Sequence, residues 1–486
     1  MINRLVLSVF MSTFAPSKLH KLDKDKIIIE LIAKVDSLMK RVQQLEHFEV
    51  ENKILRAENR ELKRRLSKYE HPKNSNNSSI PPSKDENRPT RKSLREPSGR
   101  KPGGQKGREG KTLRMVKSPD FIKQHSPNFC NCCGENLENY ALIPAGKRQV
   151  FDIPKIEIKV TEHQLYKKQC RCGHVNEVEY PTEANAPVSY GNNIESLIGY
   201  FHTRQYLPFK RMQEMFNDVF NAPISEGGLH YILDKLVCKA KPAYELIKQR
   251  MQANTKLAVG SDETGMKVNG DKHWAWTWQN EESTFITITD NRAQRSITNT
   301  FKDGFKNAVL VHDCWASHFN TPAISHQVCI AHLLRDINYL TELYNHKWSS
   351  AIKLLFQLSI IHKKQKDKVD YYYPDSRRNQ FEKRLDFLIG FELPPDKKEL
   401  ITFQNRLKKH REYLLVFLYR HEVPPDNNAS ERAIRNIKIK QKISGQFNST
   451  NGAFRFAVLR SITDTVLKNK LNILESLGFI ANLETD

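Results

Sequence analysis

The spacing of hydrophobic positions divides the chain into stretches of different kinds. From 27 to 66, Ile28, Leu31, Val35, Leu38, Val42 and Leu45 recur at alternating spacings of three and four, the a/d seam of a heptad repeat. The seam resumes as Phe48, Asn52, Leu55, Asn59, Leu62 and Leu66, displaced by three residues, which is a stammer. Asn52 and Asn59 then fall at a-type positions, where a buried amide pairs best with its twin in a parallel dimer. The pattern predicts a coiled coil over 27–70 that joins two copies of the chain, because no nearby apolar segment could cover the stripe.

Beyond His71 apolar residues almost vanish in favour of Asn, Ser, Pro, Gly, Lys and Arg, so 71–120 is expected to be a basic disordered linker. Its cations, among them Arg100, Lys101, Lys106 and Arg108, either lie along phosphates and release counterions or are solvated charge. Residues 189–252 read as helical, with Pro208 at a first turn and a break at 221–225. Helix-turn-helix and ordinary helical connector are both open there.

The period becomes that of strands from Leu257. Leu257–Val268 holds an apolar run ending in Asp262; His273–Asn280 sets Trp274, Trp276 and Trp278 on one face; Thr284–Asp290 alternates again. A helix over Ala293–Phe301 leads into a buried strand, Ala308–Asp313, and a fifth strand fits His326–His332, with a helix from Leu333. This order of elements is RNase-H-like, and it puts Asp262 and Asp313 at the ends of two neighbouring central strands. Converging oxygen donors of that kind suit a hard cation such as Mg²⁺. The Trp face is expected to be core, and His312, His318 and His332 to be mostly hydrogen-bonded core histidines.

Between linker and helices lies a cysteine module, 121–188. Cys130 and Cys133, then Cys170 and Cys172, form two close pairs, each followed by Gly. Such pairs match a tetrahedral structural Zn²⁺ site, with Cys132 left as a spare. Free thiols are the alternative, and a disulfide is the poorest reading for a protein expected in the cytoplasm.

Charge sharpens the picture. Lys and Arg outnumber Asp and Glu by 78 to 55, a formal +23 with a pI near 9.5, which points to a nucleic-acid partner. No segment supplies the roughly 20 apolar residues that a bilayer span requires. Residues 1–26, apolar at first, are read as an N-terminal extension rather than a leader. At 486 residues with 38 % hydrophobic content, several domains are expected: a multidomain α+β protein with an N-terminal coiled coil, a small zinc-binding module, a helical region and an RNase-H-like α/β core over 253–470, followed by a tail, 471–486.

Several segments together carry a resemblance to a known family. They are 74–85 with the later 103–107, the cysteine module, Ser261–Gly265, His312–His318, Cys329–Asp336 and Asp426–Arg435. In these the chain resembles the insertion-sequence 66 (IS66-type) transposases of the DDE class. The resemblance implies that Asp262, Asp313 and Glu431 form the catalytic triad and bind Mg²⁺ or Mn²⁺. It also implies that the separation of 118 positions between the last two (431 − 313) includes a largely helical insertion at about 340–420. Taken alone, Asn428-Ala-Ser-Glu431 is a capping box, and Asp426 is the reserve ligand if Glu431 only caps. Arg432, Arg435, Lys438, Lys440 and Lys442 form a basic stripe that either holds DNA or is a solvated helix face. The activity implied is cleavage and strand transfer at the terminal inverted repeats of an insertion sequence into target DNA, with accessory proteins of the element as further partners. An RNase-H-like nuclease that does not join, or a DNA-binding regulator without catalysis, are the alternatives.

Overall fold

The structure, a computed structural model, describes residues 24–74, 77, 78, 85, 86, 107, 110, 112–184, 186–253, 257–366, 369, 371 and 373–484. The expected phosphate contacts Arg100, Lys101, Lys106 and Arg108 lie outside the described residues. The chain divides into two compact units, 1–88 with 335–350, and 89–334 with 351–486.

In the first unit the heptad stretch is one uninterrupted helix, α1 (Lys24–Glu70). Its seam residues Ile28, Leu31, Val35, Leu38, Val42 and Leu45 are all exposed, and Asn52 Nδ2 donates to its own backbone at Phe48 O (2.9 Å). The polar composition after His71 does not leave this whole region unstructured. Asn74 and Asn77 each accept the other's backbone N–H (3.2 and 2.8 Å), and Asn77 Nδ2 donates to Glu342 Oε2 (2.6 Å). Lys73 sits over the Tyr339 ring at 4.8 Å. Asn77 and Ser78 are buried, and the amide side chains of Asn74 and Asn77 satisfy each other's backbone N–H.

The second unit begins with the cysteine hairpins, of which β1 (Lys168–Gln169) and β2 (Val175–Asn176) flank the second. Three helices follow: α2 (Asn192–Thr203), α3 (Phe209–Phe220) and α4 (Glu226–Ala253). Asn221 closes α3 in the left-handed region, as a short polar side chain permits. The stripe Leu229, Leu233, Leu236, Ala240, Tyr244, Ile247 and Met251 on α4 is buried, so this helix uses its length as a wall of the core.

A five-stranded sheet forms the centre. In sequence its strands are β3 (Val259–Val268), β4 (Asp271–Gln279), β5 (Thr284–Thr289), β6 (Phe305–His312) and β7 (Ala323–Val328); in space their order is β5-β4-β3-β6-β7. The first three form an antiparallel meander, and β6 and β7 run parallel to β3. The β3–β4 turn is tight, with Asn269 and Gly270 both at positive φ, the residue pair that a two-residue hairpin favours. Short α5 (Gln294–Thr300) joins β5 to β6, and α6 (Ala316–Phe319) joins β6 to β7.

After β7 the chain turns into helix at Ile330, earlier than the periodicity suggests. Cys329 N–H still donates to His312 O, but Ile330 N–H goes to Pro425 O, which ends the strand pairing. The segments α7 (Ile330–Tyr344), α8 (Lys347–Gln365), α9 (Ser376–Gly390) and α10 (Lys398–Lys409) fill the expected helical stretch. Three helices close the chain: α11 (Asn428–Ser444), α12 (Thr450–Lys468) and α13 (Ile473–Ala481).

Strand alternation gives the sheet two different faces. Trp276 and Trp278, stacked 5.7 Å apart, join Val259, Phe285 and residues of α2 to α4 in the larger core. Met266, Val268, Ala275 and Ile286 pack on the other face with Ile437 of α11 and Phe456 of α12. Gly260 and Asp262 share the parity of Met266, so they belong to the face that α11 covers.

Candidate active site

The parallel register explains how the first two carboxylates meet. Val259 pairs with Leu310 and Gly260 with Val311, an offset of 51, the same as that between Asp262 and Asp313 (313 − 262). Both aspartates lie two residues beyond the last paired positions, near enough for the charge of Asp313 to act on Asp262. Asp262 is not the end of its strand, because β3 runs on to Val268 as a hairpin arm while β6 stops at His312. The fork between a continuing and an ending strand is what opens the site.

Glu431 arrives from the first turn of α11, whose start is pinned to β3. Asn427 Nδ2 donates to Ser261 O (2.6 Å), Ser430 Oγ donates to Asn427 Oδ1 (2.7 Å) and Asn427 N–H donates to Cys329 Sγ (3.2 Å). Gly260 makes this approach possible: a Cβ there would stand 2.5 Å from Ser430 Oγ and 2.8 Å from Asn427 Oδ1. Asn427, not Asn428, stands at the N-cap position, and its side chain serves Ser261 and Ser430 rather than the helix amides. Asp426 takes over the turn by accepting from Asn428 N–H (3.0 Å), which gives the reserve carboxylate a structural task. Glu431 is 18 % exposed, with His332 Nε2 and Arg435 each 3.8 Å from its oxygens.

The electrostatics follow from this crowding. Burial, then the negative charges of Glu263, Asp313 and Glu431, push the Asp262 carboxyl well above its ordinary pKa. An electronegative cluster of oxygen donors is the chemistry that a hard divalent cation satisfies. Among the described residues no three His, Cys, Asp or Glu groups stand close enough to cage a metal by themselves. Mg²⁺ does not need such a cage, since it keeps waters and takes one or two carboxylates together with substrate phosphate oxygens; the donor set therefore fits it.

These carboxylates lie within a segment, residues 187–455, that matches the Transposase IS66 family over more than half of the chain. The chain belongs to the IS66 transposase family. Residues 127–173 match the zinc-finger binding domain of transposase IS66, and 20–114 match a family of unknown function, DUF6444. No curated protein matches the chain. No described helix of the transposase is long and apolar enough to cross a membrane.

The zinc-finger domain is two separate knuckles. Cys130 N–H donates to Glu135 O and Gly134 N–H returns to Cys130 O; Cys170 N–H donates to His174 O and Gly173 N–H returns to Cys170 O. Gly134 and Gly173 both take positive φ, which turns backbone amides inward. Hydrogen bonds from the backbone of Cys133 and Cys132 lower the Cys130 thiol, and those from Cys172 lower Cys170, the direction in which a Zn²⁺ ligand must move. No three cysteines come together among the described residues.

The basic stripe of the transposase is interrupted. On α11, Ala433, Ile434, Ile437 and Lys440 share the buried face, because 433, 437 and 440 recur at helical spacing. Lys440 is 4 % exposed and donates to Leu207 O (3.3 Å), while Lys438 Nζ donates to Gly265 O. Arg432, Arg435 and Lys442 remain exposed, so the contiguous five-residue stripe is not formed. Burial lowers the Lys440 pKa from 10.5 to about 8. Below pH 8 both folded and unfolded chains carry the charge, and the folded state bears a cost of at most about 3 kcal/mol. That cost fades as pH rises towards 10.5. Lys440→Met, which forfeits a hydrogen bond of about 1 kcal/mol, therefore raises the melting temperature at pH 7, and thermal melts at rising pH show the gain shrinking above pH 8.

Sequence reading missed the partners that hold these groups in place. His312 Nε2 and His326 Nδ1 are 3.0 Å apart; burial, then the neighbouring histidines, holds His312 well below its usual pKa, and burial takes His326 to about 4. Glu263, Arg292, Asn427 and Gly260 were likewise not singled out. The signal for Glu263 was available, since strand alternation must turn it to the face opposite Asp262.

Proposed function

We propose that the transposase binds the terminal inverted repeats of an insertion sequence and catalyses metal-dependent DNA strand cleavage and strand transfer on an RNase-H-like core. What supports this reading is the parallel register of β3 and β6, whose offset of 51 is also that of Asp262 and Asp313, together with the charges of Asp313 and Glu431 that act on Asp262. Asp262 from within β3 and Asp313 from just beyond the end of β6 would hold cations, and Glu431 would complete the donor set from a helix whose start is anchored to β3. Mg²⁺ held by these carboxylates would supply Lewis acidity at the scissile phosphate and lower the pKa of the attacking water or 3′-hydroxyl. Asn427, through Ser261 O, keeps Glu431 in step with Asp262 when DNA loads. Exposed Arg432, Arg435 and Lys442 contact phosphates along the same helix. An in vitro reaction with Mg²⁺, target plasmid and element ends supplied both uncut and pre-cut tests the reading. Joined product is expected, whereas cutting without joining leaves a nuclease and neither activity leaves a DNA-binding regulator.

Two further parts complete the proposal. Cys130, Cys133, Cys170 and Cys172 bind one structural Zn²⁺ by bringing the knuckles together. Metal analysis of purified protein is expected to give one zinc per chain, and Cys133→Ser or Cys172→Ser to lose it. The α1 seam joins two copies in parallel, with Asn52 exchanging its backbone bond for its twin. Sedimentation of the full chain should give a dimer, and Leu38→Asp with Leu45→Asp a monomer; a monomeric wild type at micromolar concentration contradicts this part.

A further inference from the structure

Glu263 is an acidic side chain that the proposed chemistry leaves unused, and it is less exposed than Asp313 or Glu431. Its side chain is 1 % exposed, on the sheet face opposite Asp262, beside Trp276, with which it pairs in register. A buried carboxylate with no task is costly unless it is paired. Glu263 is paired twice. His318 Nε2 lies 2.9 Å from its Oε2, and Arg292 Nε donates to its Oε1 (2.5 Å).

Both partners lead to Asp313. His318, 1 % exposed, also stands 3.9 Å from Asp313 Oδ1. The Arg292 guanidinium lies 3.8 Å from the centre of the Trp315 ring, and Trp315 N–H donates to Asp313 Oδ1 (3.0 Å). The contacts thus form a closed circuit: Asp313, Trp315, Arg292, Glu263, His318 and back to Asp313. Asp313 needs such support because β6 ends at His312, so no ladder hydrogen bond fixes the residue that follows. Asp262 lies inside β3 and has the pairing of β4 to hold it.

We propose that Glu263 is a positioning residue that sets the Asp313 carboxylate for metal binding, acting through His318 on one side and through Arg292 and Trp315 on the other. The proposal rests on the metal-dependent function given above. Supporting groups behind a metal ligand typically contribute about 10–100-fold in metal affinity or activity, and the circuit has that arrangement. The carboxylate is required because one side chain must accept from a histidine and a guanidinium together; an amide of the same size would turn a donor towards one of them.

The test uses the full-length protein, a labelled duplex carrying the inverted repeat and a Mg²⁺ titration of cleavage. Glu263→Gln is expected to lower the cleavage rate about 10–100-fold, to move the half-saturating Mg²⁺ at least about tenfold upward and to weaken Mn²⁺ binding, read without turnover from the EPR signal of free Mn²⁺, by a similar factor, with duplex affinity and melting temperature close to wild type. A folded variant with the wild-type Mg²⁺ response overturns the proposal. If Glu263→Gln does not fold, His318→Gln carries the same test, because it breaks the circuit while leaving the Glu263–Arg292 pair; an unchanged Mg²⁺ response in that variant is equally decisive. Asp262→Asn and Asp313→Asn run alongside. If these two retain cleavage, the metal-dependent reading itself is wrong, a result distinct from an inert Glu263→Gln on a background where both abolish it.

Discussion

Asp262→Asn and Asp313→Asn each reduce DNA cleavage and strand transfer at least about a thousandfold while leaving binding to the element ends within about a factor of two. The size follows from the proposed role: losing a carboxylate that holds a catalytic cation removes several kcal/mol of transition-state stabilisation, and every ~1.4 kcal/mol is a factor of ten in rate. Asparagine keeps the shape and one oxygen but not the charge. The like-charge pressure on Asp262 from Glu263, Asp313 and Glu431 should fall at the same time, so Asp313→Asn is expected to leave the fold as stable as before or slightly more so. Cleavage in gels and binding by fluorescence anisotropy, measured on the same preparations, separate catalysis from recognition. Wild-type cleavage by either variant removes that residue from the reaction.

The second large effect is at a residue with no chemistry of its own. Gly260→Ala is expected to lower cleavage about a hundredfold and stability by about 1–3 kcal/mol. A methyl group at Gly260 would lie 2.5 Å from Ser430 Oγ, 2.7 Å from Gln279 Nε2 and 2.8 Å from Asn427 Oδ1. Gln279 can swing aside. Asn427 and Ser430 are bound to each other, and Asn427 also to Ser261 O, so the first turn of α11 must lift and Glu431 moves with it. Overpacking of this kind costs stability, and a shift of about 1 Å in a catalytic group can cost a hundredfold in rate. Gly390→Ala is the control, because a methyl there meets nothing within 4 Å. If Gly260→Ala cleaves like wild type, α11 does not depend on its seat against β3.

What the sequence disclosed about the fold is mostly what alternation and heptad spacing encode. The strands around Asp262, Trp276 and Asp313, the long N-terminal helix and the burial of Trp276 and Trp278 were legible because each rests on a local period. Register was not written locally: the lateral match of Asp262 to Asp313 needs the pairing of Val259 with Leu310, which no pattern within either strand states. A run of cations along a helix suggests one charged face, but the positions of Ile434 and Ile437 turn Lys440 inward. Asn428 looked like a cap for a similar reason; the preceding Asn427 is claimed by Ser261 and Ser430, contacts from segments far apart in sequence. Asn77 escaped notice because polar composition predicts lack of a core, not the absence of a well-bonded turn.

The central claim is that Asp262, Asp313 and Glu431 share divalent cations. Replacing Mg²⁺ by Fe²⁺ in the DNA-bound protein, then adding ascorbate and peroxide, generates radicals that cut the polypeptide beside the bound ion. Cuts at the segments around 262, 313 and 431, all suppressed by excess Mg²⁺, are the result expected. Cuts at only one of these segments, or none that Mg²⁺ suppresses, would contradict a common metal site.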